Sequence, residues 1–169
     1  DPESGFIYSA NDWPDDLLKY SGDTAAEQFF YPGYYKPQSR ADRIRTLLTP
    51  ENAWTLDKMK GLINDCRSEV DEALMKKWVG VLSQTDLKTD ERFLQVQEHF
   101  NWNGEYDPSM VGPTLFNRIL YHTMRLAMTD EIGKDLFSLF LNTHQFQRSI
   151  KALNEQPQSP WWDNLQTTQ

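Results

Sequence analysis

The sequence has a single cysteine, Cys66, and no long apolar run. A lone cysteine cannot form a disulfide within the chain, and it has no second thiolate with which to build a metal cage. We expect Cys66 to be a small buried side chain. The longest apolar stretches are a handful of residues, whereas a helix that crosses a bilayer needs roughly 20. The sequence therefore predicts no membrane partner.

Positive charge is also scarce. The chain has 17 lysines and arginines against 25 aspartates and glutamates, which gives a formal net charge of -8 and a pI near 4.8. Nucleic-acid binding depends on clustered positive charge for contact with phosphates. The longest uninterrupted basic run is Lys76-Lys77, so we expect no nucleic-acid partner.

No local spacing of polar residues predicts a metal or phosphate site. The three histidines fall on different predicted helices, at His99, His122 and His144. No pair has the spacing by which one helix presents two ligands, and the isolated glycines form no phosphate-binding loop. The acidic pair Asp130-Glu131 follows Thr129, a predicted N-cap, and the helix dipole accounts for acids in a first turn.

Aromatic residues are abundant and are concentrated near the start of the chain. Residues 1–40 hold nine of the 22 aromatics and four of the nine prolines. Residues 6–10 are predicted to form a short strand that ends at a turn over residues 11–14. The rest of this segment has neither helical nor strand periodicity, and such a long loop is implausible in a self-sufficient domain. We therefore expect the segment to be extended and its aromatics to pack against a partner surface.

From Ser39 onward, apolar residues recur at helical spacing. We expect a mainly α fold with six or seven helices, organised as an extended segment over residues 1–40 and a helical domain over residues 41–169. The predicted helix starts are Ser39, Thr55, Ser68, Thr89, Pro113, Thr129 and Thr143.

Two short strings could carry chemistry. Asn11 follows the predicted strand, and an asparagine held rigidly there could direct its N–H groups at a developing oxyanion; an ordinary turn asparagine is the alternative. Three arginines, Arg40, Arg43 and Arg45, begin the first helix. One of them could orient a carboxamide or carboxylate, and a solvated helix face with Asp42 as local partner is the alternative.

Taken in order, these strings resemble the β chain of the penicillin acylase (penicillin amidase) family. The resemblance begins with Gly-aromatic-Ile-x-x-Ala-Asn at residues 5–11 and continues with Arg-Ala-x-Arg-Ile-x-x-Leu-Leu at residues 40–48. Later segments agree in order, at residues 55–60 with Asp65, at residues 102–104 with Ser109, and at residues 159–163. The resemblance spans essentially the whole chain.

The resemblance implies an N-terminal nucleophile amidohydrolase with an αββα core. In such enzymes autocatalytic cleavage frees a serine whose hydroxyl attacks an amide carbonyl, and the α-amine of that serine acts as the base. The family's oxyanion-hole asparagine corresponds to Asn11, and its active-site arginine corresponds to Arg43, with Arg40 as the second choice. No cofactor is implied for catalysis, although relatives that bind structural calcium make such a site an expectation for the parent, with no ligand assigned here.

The chain departs from the family pattern at its first residue. Asp1 has no hydroxyl, and no leader-like segment precedes it, so we expect this chain to be an internal, largely helical piece of the β chain and to be inactive alone. Its expected partners are the remaining α- and β-chain segments and an N-acyl small molecule, such as a β-lactam with an acyl side chain or an acyl-homoserine lactone. The resemblance further implies a role in antibiotic biosynthesis and a periplasmic or otherwise exported location.

An alternative stays open at this point. The chain could be a non-catalytic helical module that binds a ligand or a protein partner through its aromatic N-terminal segment. Both hypotheses predict an exposed apolar patch along residues 1–40.

Overall fold

A computed structural model of the chain describes residues 5–11, 39–50 and 53–163. The chain divides into two compact units, Asp1–Asp65 and Cys66–Gln169. The described residues contain six α-helices and no strand, which confirms the predicted mainly α class. The predicted division after residue 40 depends on residues 12–38, which lie outside the described residues, and it stays a prediction.

Two helices belong to the first unit and four to the second, counted over the described residues. They are α1 (Ser39–Leu48), α2 (Leu56–Ile63), α3 (Glu69–Leu82), α4 (Glu91–Val96), α5 (Gly112–Phe140) and α6 (His144–Glu155). Short 3-10 turns lie at Asp86–Thr89, Gln97–Phe100 and Pro160–Trp162.

Most of the helix starts are where the sequence predicts them. The hydroxyls of Thr55 and Ser68 each accept a hydrogen bond from the backbone N–H three residues later, as N-caps do. The start predicted at Thr89 falls one residue later, because Asp90 rather than Thr89 accepts from the first turn of α4. The cap of a helix is a local interaction, so a short stretch of sequence is enough to place it.

Helix α5 doubles back on itself at Gly133. This glycine has φ 76° and ψ 162°, which separates a helical arm over residues 112–132 from one over residues 134–140. The ring centroids of Tyr121 and Phe137 are 6.1 Å apart. Residues 16 positions apart in a straight helix would be about 24 Å apart along its axis. The two arms therefore pack against each other, and a residue without Cβ occupies the turn.

The helix start predicted at Thr129 is wrong. Thr129 lies inside the first arm of α5, where its hydroxyl donates to the carbonyl of Arg125 at 2.7 Å. A capping hydroxyl would accept from a backbone N–H of the next turn, whereas this hydroxyl donates to a carbonyl of the preceding turn, as an interior helix residue does. The break comes four residues later, at Gly133.

The core of the second unit is aromatic where α3 packs against α5. Phe116 lies between the rings of Trp78 and Trp102, with centroid distances of 5.9 and 5.4 Å. Trp102 is itself buried, and its indole N–H donates to the carbonyl of Glu105 at 2.6 Å. Gly104 has φ 84°, and a Cβ there would collide with the carbonyl oxygen of Ser68. The Trp-Asn-Gly string is therefore a packing and turn element of this unit.

Residues 6–10 do not form the predicted short strand. They carry no strand pairing, because a strand needs a neighbouring strand and none of the described residues supplies one. The aromatic loop predicted over the following residues lies outside the described residues. None of the described helices combines the length and apolarity that crossing a membrane requires.

Candidate functional site

Asn11 has an unusual backbone conformation. Its φ is 58°, and no other residue except glycine has a positive φ among those that the structure describes. Asparagine tolerates this left-handed region better than most residues, and non-glycine residues found there are enriched at functional sites. Asn11 is exposed, while the preceding Ala10 is only 2% exposed. The backbone is thus anchored immediately before Asn11.

Arg40, at the start of α1, holds Asn11. Its Nη2 donates to the carbonyl oxygen of Ala10 at 2.6 Å and to Oδ1 of Asn11 at 2.9 Å. One guanidinium nitrogen therefore contacts both the main chain before Asn11 and the side chain of Asn11. Of the two candidate arginines, the one that the family resemblance ranks second makes this contact.

Arg43 makes a two-pronged ion pair with Asp65. Its Nε donates to Oδ1 at 2.9 Å and its Nη2 to Oδ2 at 2.6 Å. The two side chains are only 17% and 20% exposed. Parallel hydrogen bonds of this kind hold a guanidinium in a fixed orientation. Asp65 lies just after α2, so the pair connects the segment after α2 to α1 within the first unit.

Arg45 contacts Tyr8. Its Nη2 and Nε donate to the phenol oxygen at 2.6 and 3.1 Å, and its guanidinium carbon is 5.8 Å from the ring centroid. Arg45 also lies 3.5 Å from Asp42, the local partner that the solvated-face alternative predicts. Each of the three arginines also contacts a residue outside α1, so the cluster has partners beyond Asp42, and whether one of these arginines serves a site stays a prediction.

The sequence did not predict Arg40 as the contact of Asn11, nor Asp65 as the partner of Arg43. Asp65 belongs to a segment that resembles the family, but no sequence periodicity indicates that a residue 22 positions from Arg43 is its partner. Whether Asn11 or Arg43 acts in catalysis stays a prediction at this point.

A second polar cluster lies in the other unit and consists of Asp130, Glu131 and Asp163. One carboxylate oxygen from each lies within 4.8 Å of the others. The sequence places the first two in the first turn of a helix, but they precede the break at Gly133 and so lie at the carbonyl end of an arm. The helix dipole therefore opposes their charge instead of stabilising it. Carboxylate oxygens are ligands for hard cations, but Ca²⁺ takes six to eight oxygens and this cluster offers three carboxylates.

The pKa of Glu131 is raised in this crowded cluster of carboxylates. Burial raises the pKa of Glu131 above its usual range, and a hydrogen bond to Asp130 and the charges of Asp130 and Asp163 raise it further. Its Oε2 is buried and has no hydrogen-bond partner among the residues that the structure describes. The cluster thus favours a proton on Glu131.

Glu131→Gln is expected to stabilise the protein at neutral pH. Because the folded state raises the pKa, it binds the proton more tightly than the unfolded chain, and stability falls as pH rises from the usual glutamate pKa through the raised one. The glutamine variant carries no such charge, so its advantage should be present at pH 7 and absent at pH 3. Urea midpoints at the two pH values measure this difference.

Glu98→Gln is the matched control, because the Glu98 side chain is 80% exposed. Equal urea midpoints for Glu131→Gln and the unmodified protein at pH 7 would contradict the expected cost of charging Glu131.

The remaining candidate residues build no site of their own. Cys66 is exposed, which makes the predicted burial wrong; its carbonyl accepts from the N–H of Tyr106 at 3.2 Å in the turn that precedes α3. Within the described ranges, no histidine joins a group of three metal-ligand side chains. The three histidines are therefore not assembled into a metal site in that part of the chain.

Comparison with known proteins gives one finding. The chain matches the protein family described as Penicillin amidase, and the match spans residues 1–169. No curated protein and no solved structure matches the chain.

Proposed function

Because the chain belongs to the penicillin amidase family over residues 1–169, we propose that it is part of an amidohydrolase that cleaves the linear amide bond of an N-acyl small molecule. The observation that supports a site in this chain is Asn11, an exposed asparagine with φ 58° whose side-chain oxygen is bound by Arg40. Strained backbone of this kind costs on the order of 1–3 kcal/mol, so a folded protein keeps it where geometry matters.

The proposed chemistry starts at an N-terminal serine outside this chain. Its α-amine removes the hydroxyl proton, the oxygen attacks the amide carbonyl, and a tetrahedral oxyanion forms. The C–N bond then breaks, the amine leaves with a proton, and water hydrolyses the acyl-serine. Asn11 donates an N–H to the oxyanion, where a preorganised donor stabilises charge that develops only in the transition state. This cycle uses no cofactor.

Arg43 and Asp65 support this site from the side of α1. Their paired hydrogen bonds fix the helix that carries Arg40, so the guanidinium beside Asn11 starts from a fixed backbone. In this proposal Arg43 acts through the orientation of α1 and the local field. It does not transfer a proton, because a guanidinium stays protonated at neutral pH.

The substrate and partners follow from the same proposal. The proposed substrate is a β-lactam with an acyl side chain or an acyl-homoserine lactone. The proposed partners are the remaining α- and β-chain segments. A periplasmic or otherwise exported location and structural calcium in the parent belong to this proposal as well.

A non-catalytic interaction module is the second candidate, and one observation favours it. The short helix α2 presents Leu56, Met59 and Ile63 at the spacing of one helix face, and these side chains are 72%, 41% and 73% exposed. Apolar side chains in such an arrangement are typical of a surface that binds another protein segment.

The two candidates are distinguished by activity of the natural protein that contains this chain. Release of amine from phenylacetyl and longer acyl p-nitroanilides, together with an acyl adduct on an N-terminal serine detected by mass, is expected for the amidase. The 169-residue chain alone is the matched control and should be inactive, since Asp1 supplies no hydroxyl beside a free α-amine. Turnover by that chain alone, or an inert natural protein, would count against the proposal.

A further inference from the structure

Arg40 joins two acceptors that belong to consecutive residues. The carbonyl of Ala10 and Oδ1 of Asn11 both accept from Nη2, at 2.6 and 2.9 Å. The two ends of this contact are anchored, because Ala10 is 2% exposed and Ala41, the residue after Arg40, is fully buried. The contact therefore joins two fixed pieces of backbone, although Arg40 and Asn11 are themselves exposed.

The side chain of asparagine has two different faces. Its oxygen accepts hydrogen bonds and its nitrogen donates them, and a rotation of 180° about the terminal bond exchanges the two. Arginine has donors and no acceptor, so it can bind only one of these orientations, in which the carboxamide oxygen faces the guanidinium and the nitrogen is turned away. An oxyanion needs the same orientation, because it can be stabilised only by the N–H groups.

We propose that Arg40 is the positioning residue for Asn11: it selects the carboxamide orientation that offers N–H donors, and through the Ala10 carbonyl it holds the backbone immediately before the left-handed Asn11. This inference rests on the proposed amidase function. It assigns different roles to the two candidate arginines of α1, since the guanidinium of Arg43 is engaged by Asp65 and Arg40 contacts Asn11.

The kinetic test uses Arg40→Ala and Asn11→Ala, singly and together, in the natural protein that contains this chain. Arg40→Ala should lower kcat by on the order of 10- to 10²-fold, as loss of alignment does, with KM changed less than about twofold. In the Asn11→Ala background the same change should cost almost nothing, because Arg40 acts through Asn11. Losses that multiply in the double variant would overturn the proposal.

Two further variants separate positioning from general damage. Arg40→Lys keeps the charge and a donor nitrogen, so its kcat should be partly recovered relative to Arg40→Ala. If Arg40 had a purely structural role, the two variants would have the same kcat. Arg92→Ala removes an exposed arginine of the other unit that pairs with Asp90, and it should leave kcat unchanged. An Arg40→Lys protein no more active than Arg40→Ala would contradict the need for a donor here.

A spectroscopic readout keeps this inference separate from the proposed function. The side-chain amide of Asn11 gives its own pair of ¹H–¹⁵N signals, and loss of the bond to Oδ1 should shift them in Arg40→Ala and leave them in place in Arg92→Ala. If the natural protein shows no amidase activity but these signals shift, the function fails and the Arg40–Asn11 contact stands. Signals that do not move in Arg40→Ala would overturn the inference whatever the activity.

Discussion

Replacing Asn11 with alanine is expected to lower kcat by on the order of 10²–10³, or about 3–4 kcal/mol of transition-state stabilisation. The proposed oxyanion exists only after the serine has attacked. Loss of the donor would therefore destabilise the transition state and hardly change the binding of the substrate. KM should therefore change much less than kcat. The measurement is steady-state hydrolysis of an acyl p-nitroanilide by protein whose chain cleavage has been confirmed by mass.

Asn11→Asp is the sharper companion variant. It keeps the size of the side chain and tolerates φ 58°, and its carboxylate would pair directly with Arg40. It offers no N–H, however, and places an acceptor where a donor is needed, so it should be at least as inactive as the alanine variant. A correctly processed Asn11→Ala or Asn11→Asp protein with unchanged kcat would show that Asn11 is only a turn residue.

Replacing Phe116 with alanine is expected to destabilise the second unit by about 3–5 kcal/mol. Phe116 is 1% exposed and fills the space between Trp78 and Trp102. Removal of its ring would leave a cavity that two rigid indoles cannot easily close. Urea unfolding followed by tryptophan fluorescence reports this loss, because both neighbours are tryptophans, two of the six in the chain.

Leu126→Ala in the same arm of α5 is the control for this prediction. Leu126 is 69% exposed, so its truncation should change the free energy of unfolding by no more than about 0.5 kcal/mol. Similar losses in the two variants would mean that the buried and exposed faces of this arm are not those described here.

The helices could be predicted from sequence where their ends are decided locally. Thr55 and Ser68 were identified correctly because a cap needs only a hydroxyl and the next turn of backbone. Thr129 looked the same in sequence, but its hydroxyl found the carbonyl of Arg125 inside a helix. Such a hydroxyl can accept from the N–H groups of a following turn or donate to the carbonyl four residues back, and the pattern of neighbouring residues does not rank the two.

The candidate site could be predicted only in part. The left-handed tolerance of Asn11 and its place after an apolar segment are visible in the sequence, and they agree with the structure. The ranking of Arg43 over Arg40 came from the family resemblance. Their partners lie 22 and about 30 residues away, and helical periodicity carries no information on contacts at such separations.

The strand predicted over residues 6–10 failed for a related reason. Alternation of side chains describes how a strand would face its surroundings, while its existence depends on a second strand. The described residues contain no such partner, and residues 12–38 lie outside them.

The return of α5 at Gly133 also bears on the order in which the second unit can fold. Tyr121 and Phe137 meet after a separation of only 16 residues, so bringing them together closes a short stretch of chain. Loop-closure entropy is small for such contacts, and proteins rich in them fold quickly. By contrast, the packing of Trp78 on Phe116 must span 38 residues. We therefore expect the two arms of α5 to associate first and to provide the surface on which α3 is assembled.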